Sequence, residues 1–130
     1  MRSYFFVLLF IPIICISQNI PKETNTIIVK GVNLKHIVES LEEKDFNVAY
    51  DGFSTISTIP KRISNHGIVF FTIKIKDSLA YMKGNFEGKE ITPELFKNKE
   101  SYGGHDLSGM FDYMNEIAKS FKGEISYSKQ

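Results

Sequence analysis

The sequence predicts an α+β fold, a two-layer sandwich in which a mainly antiparallel four- to five-stranded sheet carries two helices on one face, in the order β-α-β-β-β-β-α. Three observations predict it. Two segments place apolar residues at helical spacing and polar residues elsewhere. One long segment alternates apolar and polar residues on both sides of a two-residue turn. Short β-branched runs and turn dipeptides fill the chain between them.

The elements follow in order. "TIIVKGV" is β-branched and short, which reads as a strand over Thr26–Lys30. In "NLKHIVESLEEK", Asn33 can cap a helix by accepting an orphan backbone N–H. Leu34, Ile37, Val38 and Leu41 then recur at i, i+3, i+4, i+7, one apolar stripe, with Lys35, His36, Glu39, Glu42 and Glu43 off it. "FNVAYDGFSTISTIP" reads as a hairpin. Phe46, Val48 and Tyr50 alternate with polar or small residues, Asp51-Gly52 is a turn dipeptide, and the return strand over residues 54–59 stops at Pro60. Its register is open, because a two- or a three-residue loop places Ile56 on opposite faces.

"GIVFFTIKIKDSLAYMKGNFEG" is the clearest hairpin. With Asp77-Ser78 as the turn, Ile75 faces Ala80, Ile73 faces Met82, Phe71 faces Gly84 and Val69 faces Phe86. That register collects the apolar side chains on one face. The other face pairs Lys76 with Leu79, Lys74 with Tyr81, Thr72 with Lys83 and Phe70 with Asn85. "GKEITPELFKNKESYGG" is loop, with Thr92-Pro93-Glu94 able to start one helical turn. In "DLSGMFDYMNEIAKSFKG", Leu107, Met110, Phe111, Met114, Ile117, Ala118 and Phe121 form a second stripe. Asp106 suits its cap and Gly123 its stop. Residues 124–130 add a short strand or fray.

The chain opens with "MRSYFFVLLFIPIICISQN". Arg2 gives a positive start and residues 4–16 run apolar. A bilayer-spanning helix needs about 20 such residues, whereas the core of an export signal has about 7–15. Cys15-Ile16-Ser17 supplies the small-x-small ending that a signal peptidase accepts. The expectation is a signal peptide over residues 1–17, cleaved before Gln18, then a flexible leader over 18–25 and a single α+β domain over 26–130. The alternative is a lipoprotein anchored through Cys15. Bacterial lipoprotein signals carry Gly, Ala or Ser before the cysteine, where this chain has Ile14, with Pro12 two positions earlier. Either way the protein is expected outside the cytoplasm, periplasmic or extracellular.

The chain has 16 basic and 15 acidic residues, and without Arg2 the two are equal. A neutral domain exerts no global pull on nucleic acid, so nucleic acid is not an expected partner. No second hydrophobic span follows the first, so no membrane span is expected after signal removal. If Cys15 leaves with the signal, no cysteine remains to form a disulfide.

The segments "TNTIIVKGV…LEEKDFNVAYD…TIPKRI…IKIKDSLAYMKGNF", across residues 24–86, resemble a group of small exported proteins of unknown function from Bacteroidetes-type Gram-negative bacteria. The group shares an opening "NTIIVKGV", a helix, a central strand pair and a closing hairpin. The resemblance implies an α+β domain beyond the inner membrane. It brings no active residues with it.

His105-Asp106 with Ser108, after Gly103-Gly104, would suit a small hydrolase, but no strained nucleophile elbow accompanies them. Gly103-Gly104 lacks the surroundings of a phosphate loop. His36 and Glu39 stand i, i+3 on the first helix, but a metal site needs three or four ligands, and His66 and His105 lack ligand spacing. No catalytic residue, metal or cofactor is therefore expected. The aromatic and lysine residues of the hairpin's polar face remain: Phe70, Lys74, Tyr81 and Lys83, with Lys76 beside them. Aromatics among lysines can stack on sugars and hold an anion; the plainer alternative is cross-strand pairing with lysine stems over the rings.

The expected function is thus an exported, non-enzymatic binding or envelope-accessory domain. Its partner would be an envelope protein, polysaccharide or lipid headgroup. The alternatives are a hydrolase centred on His105 and Asp106, and a structural protein pairing through a sheet edge.

Overall fold

The computed structural model describes residues 20–50, 52, 54–63, 67–95 and 109–130. The proposed signal over residues 1–17, His66, Gly103-Gly104, His105, Asp106, Leu107 and Ser108 lie outside the described residues. Among the described residues ten elements follow one another: β1 (Thr26–Lys30), α1 (Leu34–Glu43), β2 (Val48–Tyr50), β3 (Thr55–Thr58), β4 (Lys61–Ile63), β5 (Gly67–Lys76), β6 (Leu79–Phe86), β7 (Lys89–Glu90), α2 (Met110–Lys119) and β8 (Glu124–Ser128). The strands form one sheet along the path β2-β3-β5-β6-β1-β8, with β4 also on β5 and β7 also on β6. Every pairing is antiparallel.

The central hairpin has the register that its alternation predicts. Ile75 pairs with Ala80, Ile73 with Met82, Phe71 with Gly84 and Val69 with Phe86. The turn residues Asp77 and Ser78 have φ of 53° and 63°, the left-handed pair that a type I′ hairpin turn requires. Neither is glycine, and left-handed backbone strains an L-residue. Substituting Asp77→Asn together with Ser78→Gly is expected to raise stability by about 1 kcal/mol, read as a higher urea midpoint. The Ser78 carbonyl still accepts from the Gly31 N–H in that variant.

Among the described residues the sheet has eight strands where four or five were expected, and three local causes account for the excess. Pro60 interrupts what the alternation suggests is one return strand. Between the Ser57–Thr72 and Lys61–Val69 pairs, the β3–β4 side runs one residue longer than β5. This is a bulge at Ile59-Pro60, where proline's missing N–H is tolerated. The Thr58 hydroxyl repairs the ladder there, accepting from the Phe71 N–H at 2.8 Å. A second tight turn, with Glu87 and Gly88 at φ 50° and 81°, adds the two-residue β7. The tail adds β8, whose Ile125 and Tyr127 pack against the core.

The open register of residues 46–59 is settled by the pairs Val48–Thr58, Ala49–Ser57 and Tyr50–Ile56. Five positions separate the paired residues Tyr50 and Ile56, more than either of the two loop lengths considered. Ile56 faces the core at 1 % exposure and pairs with Ile73.

Alternation then decides what is inside. Ile27 and Val29 of β1, Val69, Phe71 and Ile73 of β5, and Ala80, Met82 and Phe86 of β6 are all buried. Ile37 and Leu41 of α1 and Met110, Phe111, Met114, Ile117 and Ala118 of α2 join the same cluster. Complete burial of each large side chain contributes about 1.5–3 kcal/mol. Asn33 caps α1 as expected, its Oδ1 accepting from the His36 N–H at 2.8 Å. At α2 the cap position is Gly109 rather than Asp106, and no side chain caps it. No helix among the described residues is long and apolar enough to cross a membrane.

Candidate binding face on the central hairpin

Because Val69, Phe71 and Ile73 point into the core, their neighbours Phe70, Thr72, Lys74 and Lys76 point away from it. The same alternation turns Leu79, Tyr81, Lys83 and Asn85 outward on β6. Hydrogen-bonded register sets them side by side: Lys76 with Leu79, Lys74 with Tyr81, Thr72 with Lys83 and Phe70 with Asn85. The flanking strands extend the rows. Ile28 stands beside Tyr81 and Lys30 beside Leu79 on β1, while Thr55 stands beside Lys74 and Ser57 beside Thr72 on β3.

Thr72, Lys74, Lys76, Tyr81, Lys83 and Gln130 line a depression of about 450 Å³. Three ammonium groups thus share one basin, and no carboxylate side chain is among the described residues that line it. A second depression of about 330 Å³, lined by Phe70, Thr72, Lys83, Gly84, Asn85 and Glu90, adjoins it through Thr72 and Lys83. Of the four residues expected to bind, Lys74, Tyr81 and Lys83 gather in the larger depression. Phe70 lies in the smaller one.

The tail forms one wall. The Asn25 amide donates to the Gln130 carbonyl at 2.7 Å, and the Gln130 N–H donates back to Asn25 Oδ1 at 2.8 Å. The side chain of Asn25 here copies a peptide group and prolongs the β1–β8 ladder by one step. The Lys83 Nζ also donates to the Gln130 carbonyl, at 3.1 Å. Among the described residues, neither Lys74 nor Lys76 has a carboxylate partner. Thr72 and Lys76 were legible from the same alternation that exposed Lys74. Gln130 carried no signal, because only the fold brings the tail back over β6.

No family model and no curated protein matches the chain. The face has to be read from its own chemistry. No group of three metal-ligating side chains assembles among the described residues. His36 and Glu39 stand on α1, where the His36 Nε2 is buried without a hydrogen-bond partner. Burial raises the Tyr113 phenol above its ordinary value. Its ring belongs to the core, with centroids 6.5 Å from Phe46 and 6.4 Å from Phe71. The hydrolase candidates His105, Asp106 and Ser108 lie outside the described residues.

Proposed function

We propose that this chain is an exported, non-enzymatic binding domain of the cell envelope. It holds an anionic envelope component against the outward face of the β5–β6 hairpin. The observation that carries this reading is the joint lining of one basin by Lys74, Lys76, Lys83 and the half-buried Tyr81, with no acidic side chain among the described residues that line it. Clustered like charges raise the local potential, and an anion that enters relieves their mutual repulsion. Tyr81 offers a ring surface beside those charges.

The address comes from the leader, read as a removable export signal, and from the resemblance of residues 24–86 to exported Bacteroidetes-type proteins. A two-layer arrangement belongs to the same reading. With α1 and α2 stacked on the core side, the opposite sheet face is left bare for a ligand.

The double substitution Lys74→Gln, Lys76→Gln is expected to weaken binding to a soluble polyanion, dextran sulfate, about ten-fold at low salt and to flatten its salt dependence. Titration calorimetry at two ionic strengths measures both. An affinity equal to that of the unaltered protein would remove this face from the function.

A further inference from the structure

We infer that the ligand of this face is a negatively charged lipid surface, met by the whole outward side of the sheet. The inference rests on the anion-binding reading above and names the class of its ligand.

The face is polarised along β5. Its outward side chains run Ile68, Phe70, Thr72, Lys74, Lys76, from apolar to cationic. Four two-residue steps of about 6.7 Å set the two ends roughly 27 Å apart. The cationic end is broadened by Lys30, beside Leu79 on β1, and Lys83 on β6, opposite Thr72, brings a further charge to the middle of the face. At the apolar end Ile68 is 38 % exposed, and Ile59, in the neighbouring bulge, is 50 % exposed. Tyr50 is the other strongly exposed large hydrophobic among the described residues, so two of the three stand at this end. Exposed Arg62 pairs with Ile68 in register. The two depressions share Thr72 and Lys83, which joins the ends.

A soluble acidic polymer would satisfy the lysines and leave Ile59 and Ile68 in water. A bilayer surface satisfies both, since lysines meet headgroup phosphates while short apolar side chains enter the interface. Three acids among the described residues stand at the border of this face, away from Lys74 and Lys76. Glu87 accepts from the Ile68 N–H at 2.9 Å, Glu90 lines the smaller depression, and Glu124 faces Lys30. The exposed Glu39, Glu42 and Glu43 sit on α1, whose Ile37 and Leu41 enter the core from the far side of the sheet. Overall neutrality does not oppose docking, because screening limits each charge to about 10 Å and the near face dominates.

The test is flotation of the exported protein, its N-terminus fixed by intact mass, with two kinds of vesicle. One is phosphatidylcholine alone; the other is an equimolar mixture with phosphatidylglycerol. The unaltered protein is expected to float with the anionic vesicles far more than with the neutral ones. Lys74→Gln is expected to lower that binding about five-fold. Ile68→Ser is expected to lower vesicle binding several-fold and to leave binding to dextran sulfate unchanged. Equal vesicle binding by Ile68→Ser and the unaltered protein overturns the inference. So does lysine-dependent binding to dextran sulfate with no preference for anionic vesicles, which leaves the anion-binding reading standing with an acidic polysaccharide as its ligand. Failure to bind either probe overturns both.

Discussion

Replacing Phe71 with alanine is expected to lower the stability of the domain by about 4 kcal/mol. The ring is fully buried at the middle of β5. It meets Phe46 edge to face at 5.3 Å between centroids and lies near Tyr113. Across the hairpin it pairs with Gly84, where an added Cβ would sit 3.1 Å from its own ring carbon. Gly84 thus leaves the space that Phe71, Ile91 and Met114 fill. Removing the ring opens a cavity that three different elements would have to close at once. Domains of this size have about 5–15 kcal/mol in total, so the variant should unfold early in a urea titration. A loss under about 1 kcal/mol would mean that the core is organised around other side chains.

The second large effect is expected at Gly123, where a change to alanine should cost about 3 kcal/mol. The cause is close approach. A Cβ there would lie 2.5 Å from the Lys30 carbonyl oxygen, 2.6 Å from Val29 Cγ1 and 2.8 Å from Val32 Cγ1. The first of these is backbone and cannot rotate away, so β8 would have to withdraw from β1. Gly109→Ala is the internal control. It has open space around it and an ordinary backbone at φ −88°, so its cost should stay near the roughly 1 kcal/mol of placing alanine at a helix cap. Thermal melts of the two variants side by side measure the difference; equal melting temperatures would contradict the close-approach account.

Gly123 also illustrates what could be read before the fold was known. As the last glycine after a helical stripe it reads as a helix stop. The helix in fact ends at Lys119, and Lys122, at φ 60°, takes the left-handed position. The glycine is needed by a strand roughly ninety positions earlier, which local pattern does not report. The central hairpin was legible in full, because alternation and a two-residue turn fix register without outside help. The stripe of α1 and its Asn33 cap were legible for the same reason. The split of the return strand at Pro60 was half legible: proline marks a break, but only the β5 ladder reveals that pairing resumes beyond it. For the candidate face, the outward positions of Lys74, Tyr81 and Lys83 followed from hairpin parity. The separation of Phe70 into the adjoining depression, and the wall made by Gln130, depend on packing between distant segments.

The clasp between Asn25 and Gln130 joins positions 105 apart in the chain. Strand β1 is flanked by β6 and β8, both distant from it in the sequence, so each of its edges waits for a partner made much later. The two-residue hairpin forms with little loss of chain freedom, whereas closing β1 onto its neighbours is the costly entropic step. Assembly of this domain should therefore be paced by the arrival of its first strand. Until then the edge of β6 that β1 will cover stays open, and once β1 is in place its own far edge stays open until β8 arrives.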